Sequence, residues 1–256
     1  MTVQAWCQPP AELPWPHDEV LVWRATLAWP EAAADRLKQA AADRLKQCLS
    51  ADERDRMERF RFERDRRRYL VGRGLLRSLL GRYLDVVPQD LRFETAAAGK
   101  PHLASGQGQL QFNLAHSGEY VLIAIAGGRA VGIDVEEVRD DFDVGEIAAH
   151  FFSPHEQRAL EALTGRARIE AFFECWTRKE AYVKARGEGL SLPLDQFDVS
   201  LRPGEPARLV ATRPDPAEAK RWHLSEMEVA DGYKAALAVE GQGGTLRFWD
   251  SPDELA

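Results

Sequence analysis

Two carboxylates stand two residues apart in the stretch VGIDVEEV: Asp134 and Glu136. Val131, Ile133 and Val135 alternate with them as the apolar face of a strand would, so both acids project to the same side. Like charges held together among apolar neighbours repel, and some partner must offset that. Two readings need no chemistry: a charged guard on an edge strand, or pairing with nearby arginines. The chemical reading is a hard cation. Oxygen ligands suit Mg²⁺, which commonly takes one or two carboxylates together with substrate phosphates. A third carboxylate stands in EAFFECWTRKEAYVKARG (170–187), where Glu180 precedes Lys184 by one helical turn. That pair is either a simple helix salt bridge in its favoured orientation or a metal ligand or proton acceptor beside a phosphate-neutralising lysine. Phe172, Trp176 and Val183 form an apolar stripe on the same helix, and the stripe also takes in Lys179. Burial disfavours the charge of such a lysine unless an anion is near. Taken together, these residue types point to a divalent cation and a diphosphate substrate.

The elements that must hold these residues are legible from periodicity. VLVWRATLAW (20–29) alternates like a strand. The duplicated AADRLKQ that follows carries Leu37, Ala41, Leu45 and Cys48 on one helical face. The segment 53–84 is Arg-dense and then apolar at helical spacing. Its arginines make either a solvated face of ion pairs or an anion site. QFNLAHSGEYVLIAIAGGRAVGIDVE reads as three strands with turns at His116-Ser117-Gly118 and Gly127-Gly128. Ser153-Pro154 with Glu156 is a capping-box start for a helix, and Gly187 and Gly189 end the next one. FDVSL, ARLVAT, RWHLSEMEVA and YKAALAVE read as further strands. The fold class expected is α+β, in two halves, 1–128 and 129–256.

Composition narrows the partners. A net charge of −7 argues against a general nucleic-acid binder. Cys7, Cys48 and Cys175 make neither a zinc spacing nor a disulfide framework, which fits a reducing cytoplasm. No signal segment opens the chain, and no apolar run reaches the roughly 20 residues that span a bilayer, so no membrane association is expected. Phosphate-loop, dinucleotide, zinc-protease and α/β-hydrolase motifs are missing.

The set GKP (99–101), FNLAHSG (112–118), GIDVE (132–136), FFSPHE (151–156), CWTRKEAYVKARGEGLSLPLDQF (175–197) and GYKAALA (232–238) resembles the 4′-phosphopantetheinyl transferases of the Sfp type in order and spacing. The resemblance implies two α/β halves related by a pseudo-two-fold axis, with coenzyme A clasped between them. It implies Mg²⁺ (or Mn²⁺) on the coenzyme A diphosphate and attack by a carrier-protein serine on the phosphate nearer the pantetheine. The products are a phosphopantetheinylated acyl or peptidyl carrier, serving peptide, polyketide or fatty-acid synthesis, and 3′,5′-ADP. An internal pseudo-dimer implies a monomer.

Residue by residue, the resemblance makes Asp134, Glu136 and Glu180 the metal set. Glu180, or Glu136 through a water, becomes the base, and Lys184 the group that stabilises or protonates the leaving phosphate. Lys179 is implied to neutralise diphosphate charge. Lys100, His116, Arg68 and Arg56 are implied to touch coenzyme A, the last three at its nucleotide end. Two positions depart from the family's habit: Ala115, where a serine is common, and Glu53, where a basic residue is common. Two other functions stay open, a non-catalytic binder of coenzyme A or carrier protein and a Mg²⁺-dependent nucleotide diphosphate hydrolase.

Overall fold

The apolar alternation near the start forms strand β1 (Val20–Thr26), buried from Val20 to Trp23. In this computed structural model, residues 5–27, 35–202, 204–213 and 215–251 are described. Positions 28 and 29 of the expected strand, positions 32–34 before the first helix and the side chain of Leu37 lie outside them. Helix α1 (Asp35–Cys48) buries Ala41 and Leu45. The Arg-dense stretch is two helices, α2 (Ala51–Glu58) and α3 (Glu63–Leu84). Ser50 starts α2 with a capping box closed by Glu53, and Phe62 in an extended conformation breaks the run before α3. The charged start of α3 stays outside, while Val71, Gly72 and the run from Gly74 to Gly81 are buried.

A short hairpin, β2 (Phe93–Thr95) and β3 (Pro101–Leu103), leads to a long one, β4 (Leu110–Ser117) and β5 (Tyr120–Gly127). Strand β6 (Val131–Glu137) follows, then α4 (Val144–Phe151), α5 (Pro154–Glu161) and α6 (Gly165–Arg186). The chain ends in β7 (Phe197–Val199), β8 (Leu209–Thr212), β9 (Trp222–Met227), β10 (Tyr233–Glu240) and β11 (Leu246–Asp250).

One sheet runs β11-β1-β5-β4 and a second runs β6-β10-β9. β11 pairs parallel with β1, so the last strand completes the first sheet. The pleat explains how the sheets stack. Leu21 and Trp23 face a cluster with Leu45, Leu75 and Leu79 of the helices. Val20 and Val22 face the other way, into a cluster with Val131, Ile133, Val135, Leu237 and Val239 of the second sheet. The far side of that sheet carries Ala236 and Ala238 into a cluster with Phe172, Tyr182 and Ala185 of α6. The result is an α+β stack of helices, sheet, sheet and helices, each sheet covered on both faces. Asn113 ties the two sheets together: its side-chain oxygen accepts from the Ile133 N–H at 2.8 Å, in a buried setting.

Candidate active site

The site begins with a glycine. Gly132, on β6, lies so close under α6 that an added Cβ would meet Ala185 Cα at 2.8 Å and the Ala181 oxygen and Ala185 nitrogen closer still. Only a residue without a side chain lets the helix settle directly on the strand backbone. Two residues along β6, Asp134 is buried, and its Oδ1 accepts from Lys184 Nζ of α6 at 2.5 Å. Its Oδ2 is buried without a partner among the described residues.

The electrostatics link four groups. Burial pushes the Asp134 carboxyl up to about 7; Lys184 opposes this, and the charges of Glu136 and Glu180 add to it. Burial likewise raises Glu180, with Lys184 opposing and Glu136 reinforcing. For Lys184 burial works against the charge, but Asp134, Glu180 and Glu136 outweigh it and its pKa is raised. Three carboxylates thus share one ammonium. Among the described residues no group of three or more His, Cys, Asp or Glu side chains is arranged to hold a metal. Lys184 itself is the cation that faces Asp134.

One cavity adjoins this cluster, and two more follow from it by shared walls. The first, of about 670 Å³, is lined by Glu180, Lys184, Lys100, Asn113, Phe151 and Trp176. It shares Gly99 and Pro101 with a second cavity of about 1300 Å³ that Arg56 lines. That one shares Tyr69 and Arg73 with a third of about 260 Å³, lined by Arg68 and His116. Glu180, Lys184 and Lys100 thus line one cavity, Arg56 the second, and Arg68 and His116 the third, with neighbouring cavities sharing wall residues. Crowding around the His116 ring, and then the Arg68 guanidinium beside it, lowers the pKa of this histidine. Arg68 also donates to the Gly118 carbonyl at 2.9 Å, and Arg56 sits over the Tyr69 ring.

Lys179 is a correction to the sequence-based expectation. Its ammonium is fully buried and donates to the carbonyls of Leu194 and Phe197, each at 2.7 Å, and lies 2.8 Å from Glu156 Oε2. The anion that the apolar stripe demanded is therefore Glu156 and not a diphosphate. Glu156 was legible as a cap and indeed accepts from Ser153 N–H, but it also accepts from Val199 N–H. The double duty has no sequence signal.

Lys100 keeps its place on the cavity wall, yet its Nζ donates to the carbonyls of Val131 and Ala185 at 2.9 and 3.1 Å. It braces the β2–β3 hairpin against β6 and α6. Burial lowers its pKa to about 8. Glu53 is neutralised rather than aimed at a ligand: Arg73 pairs with it at 2.7 Å and Arg77 binds its other oxygen. Ser117, at the end of β4, is a residue that periodicity left as a turn. Its hydroxyl donates to Glu136 Oε2 at 2.8 Å and accepts from the Glu137 N–H at 3.0 Å.

Comparison with known proteins agrees in both parts of the chain. Residues 130–238 match the family model described as the 4′-phosphopantetheinyl transferase superfamily, and residues 37–127 match that of the 4′-phosphopantetheinyl transferase N-terminal region. The chain is 39% identical to 4′-phosphopantetheinyl transferase HetI of Nostoc sp., over 97% of this chain and 99% of that one. It is 33% identical to 4′-phosphopantetheinyl transferase Sfp of Bacillus subtilis, over 75% of this chain and 82% of that one. Among solved structures, the holo-[acyl-carrier-protein] synthase of Thermotoga maritima aligns at a TM-score of 0.36 and 25% identity, over 44% of this chain and 64% of that one.

Proposed function

The chain belongs to the 4′-phosphopantetheinyl transferase superfamily and transfers phosphopantetheine to carrier proteins, and we propose that Asp134, Glu136, Glu180 and Lys184 carry the transfer from coenzyme A. The observation that carries this reading is the meeting of β6 and α6, where Lys184 reaches Asp134 and Glu180 opens onto the cavity. Serine oxygen attacks the pantetheine-side phosphorus, the phosphorus–oxygen bond to the other phosphate breaks, and 3′,5′-ADP departs. Glu180, or Glu136 through a water, takes the serine proton. Burial raises the affinity of Glu180 for a proton, which suits a general base near neutral pH. The raised pKa of Lys184 keeps it charged, so its ammonium can move from Asp134 to the leaving phosphate.

Mg²⁺ or Mn²⁺ would suit the chemistry of the same residues once their side chains turn toward a common point, since in this structure Lys184 holds Asp134 and the three carboxylates do not form one ligating group. A buried carboxylate oxygen without a partner and three coupled carboxylates are a donor set for a hard cation. Asp134, Glu136 and Glu180 would hold it, and it would neutralise diphosphate charge. Arg56, Arg68 and His116 are proposed to receive the nucleotide end of coenzyme A, and Lys100 to line the route between.

The two halves, 1–128 and 129–256, are proposed to be related by a pseudo-two-fold axis with the site between them, β11 of the second half crossing over to complete the first sheet. The protein is proposed to be a monomer in a reducing cytoplasm. Cys7, Cys48 and Cys175 are all free, and no helix among the described residues is long and apolar enough to cross a membrane. Light scattering tests the assembly state.

The function test is a panel of apo peptidyl, polyketide and fatty-acid carrier domains with coenzyme A, with and without Mg²⁺, read by mass spectrometry. Phosphopantetheine should appear on carrier serine, and Glu180→Gln and Asp134→Ala should abolish it. Full activity in either variant would overturn the site assignment. Release of 3′,5′-ADP without any carrier would favour the hydrolase, and coenzyme A binding without transfer the binder.

A further inference from the structure

The turn between β4 and β5 reaches from the first sheet to the second at the acid pair. Ser117 is its pivot. The Glu137 N–H holds the hydroxyl oxygen at 3.0 Å, which leaves the hydroxyl proton directed at Glu136 Oε2, 2.8 Å away. The turn itself is gripped from two further elements. Arg68 of α3 donates to the Gly118 carbonyl at 2.9 Å, and the Tyr233 hydroxyl of β10 accepts from the Glu119 N–H at 3.1 Å. Gly118 has φ +52°, and a Cβ there would fall 2.8 Å from Glu137 Oε2 and against the Tyr233 hydroxyl. A side chain at this position would therefore push aside the Tyr233 hydroxyl that holds the turn and strain a left-handed backbone.

Glu136 needs such a hold. Asp134 is fixed by burial and Lys184, but Glu136 stands near the end of β6, half-buried. A glutamate free to turn loses rotamer entropy when it is fixed. A hydrogen bond from an already immobilised hydroxyl fixes it before any ligand arrives.

We propose that Ser117 is a positioning residue that aims the Glu136 carboxylate toward the divalent cation, and that the turn's other grips serve to hold Ser117 in place. The inference rests on the proposed reading of Asp134, Glu136 and Glu180 as the metal set. Ser117 touches no reacting atom and acts through Glu136. Outer partners of metal-binding carboxylates typically account for about 10–100-fold in metal affinity.

The test compares wild type with Ser117→Ala, Ser117→Thr and Asp134→Asn. Half-activating Mg²⁺ concentration, KM for coenzyme A and melting temperature are measured, together with direct Mn²⁺ binding by electron paramagnetic resonance. Ser117→Ala should raise the half-activating concentration and weaken Mn²⁺ binding by about 10-fold or more. KM for coenzyme A at saturating metal should stay within about 2-fold, and Ser117→Thr, which keeps the hydroxyl, should restore metal affinity. A structural role alone would lower melting temperature and rate without moving the metal dependence, and that result overturns the inference. If Asp134→Asn weakens metal binding while Ser117→Ala does not, Ser117 alone has been misread. If neither does, the metal-set reading falls, and this inference with it. Should Ser117→Ala fail to fold, Ser117→Cys, with a weaker donor of similar size, carries the same comparison.

Discussion

Replacing Gly132 by alanine tests the joint between strand and helix on which the site depends. Carbon atoms in contact sit about 3.5–4.0 Å apart, whereas the new Cβ would stand 2.8 Å from Ala185 Cα, with Ala181 O and Ala185 N nearer. The obstacle is backbone on every side, so no side chain can swing away, and α6 must withdraw by about 1 Å. Overpacking of this kind typically costs about 1–3 kcal/mol. The same withdrawal carries Glu180 and Lys184 away from Asp134, and misplacement by an ångström can cost about 10²-fold in rate. Gly132→Ala should therefore lower urea-unfolding stability by about 1–3 kcal/mol and, under conditions where it is fully folded, slow carrier modification by about 10²-fold. Gly72→Ala is the internal comparison for stability. Its Cβ would find Leu114 at an ordinary 3.4 Å inside a helix, and replacing glycine there should stabilise by about 0.5–1 kcal/mol. A Gly132→Ala protein with unchanged stability and a rate within about threefold of wild type would refute the claim that close approach of α6 to β6 builds the site.

The buried Lys179–Glu156 pair should be structural: Lys179→Met should destabilise by about 3–5 kcal/mol, and the combined Lys179→Met/Glu156→Leu protein by less than the sum of the singles. Urea titration of the singles and the double variant measures this, and a raised KM for coenzyme A with unchanged stability would return Lys179 to the phosphates. Lys100 gives a pH signature. Its folded pKa, about 8, lies below the ordinary lysine value, so between the two the unfolded chain binds more protons and stability rises with pH. Wild type should gain on Lys100→Met in urea titrations between about pH 7 and about pH 10, and a constant difference would show that burial of this ammonium carries no cost.

Much of the site was legible because it rests on short periodicities. Asp134 and Glu136 follow from strand alternation in VGIDVEEV, and Glu180 with Lys184 from one helical turn. The capping box of Ser153 and Glu156 is local and came through intact. Contacts between distant segments were not legible. Nothing in HSGE reveals that Ser117 crosses to Glu136, because that bond exists only once two sheets have stacked. The pairing of β11 with β1 is equally invisible, since those strands are separated by almost the entire chain. Glu53 looked like a charge misplaced in a phosphate site; its partners Arg73 and Arg77 lie 20 and 24 residues further along the sequence, on another helix.

The case of Lys179 and Glu180 shows why family position alone misleads. Neighbouring residues on a helix point about 100° apart, so these two cannot face one ligand from the same direction. One direction from α6 leads to β6 and the cavity, and Glu180 and Lys184, one turn apart, share it. The other leads into the core, where a lysine is tolerated only if every donor is satisfied. Two carbonyls and a capping glutamate do that for Lys179. Those carbonyls belong to Leu194 and Phe197, at the end of the segment whose Gly189, Leu192 and Pro193 wall the cavity. The lysine thus fixes one wall of the cavity from behind, while its neighbour in sequence, Glu180, faces that cavity from the front.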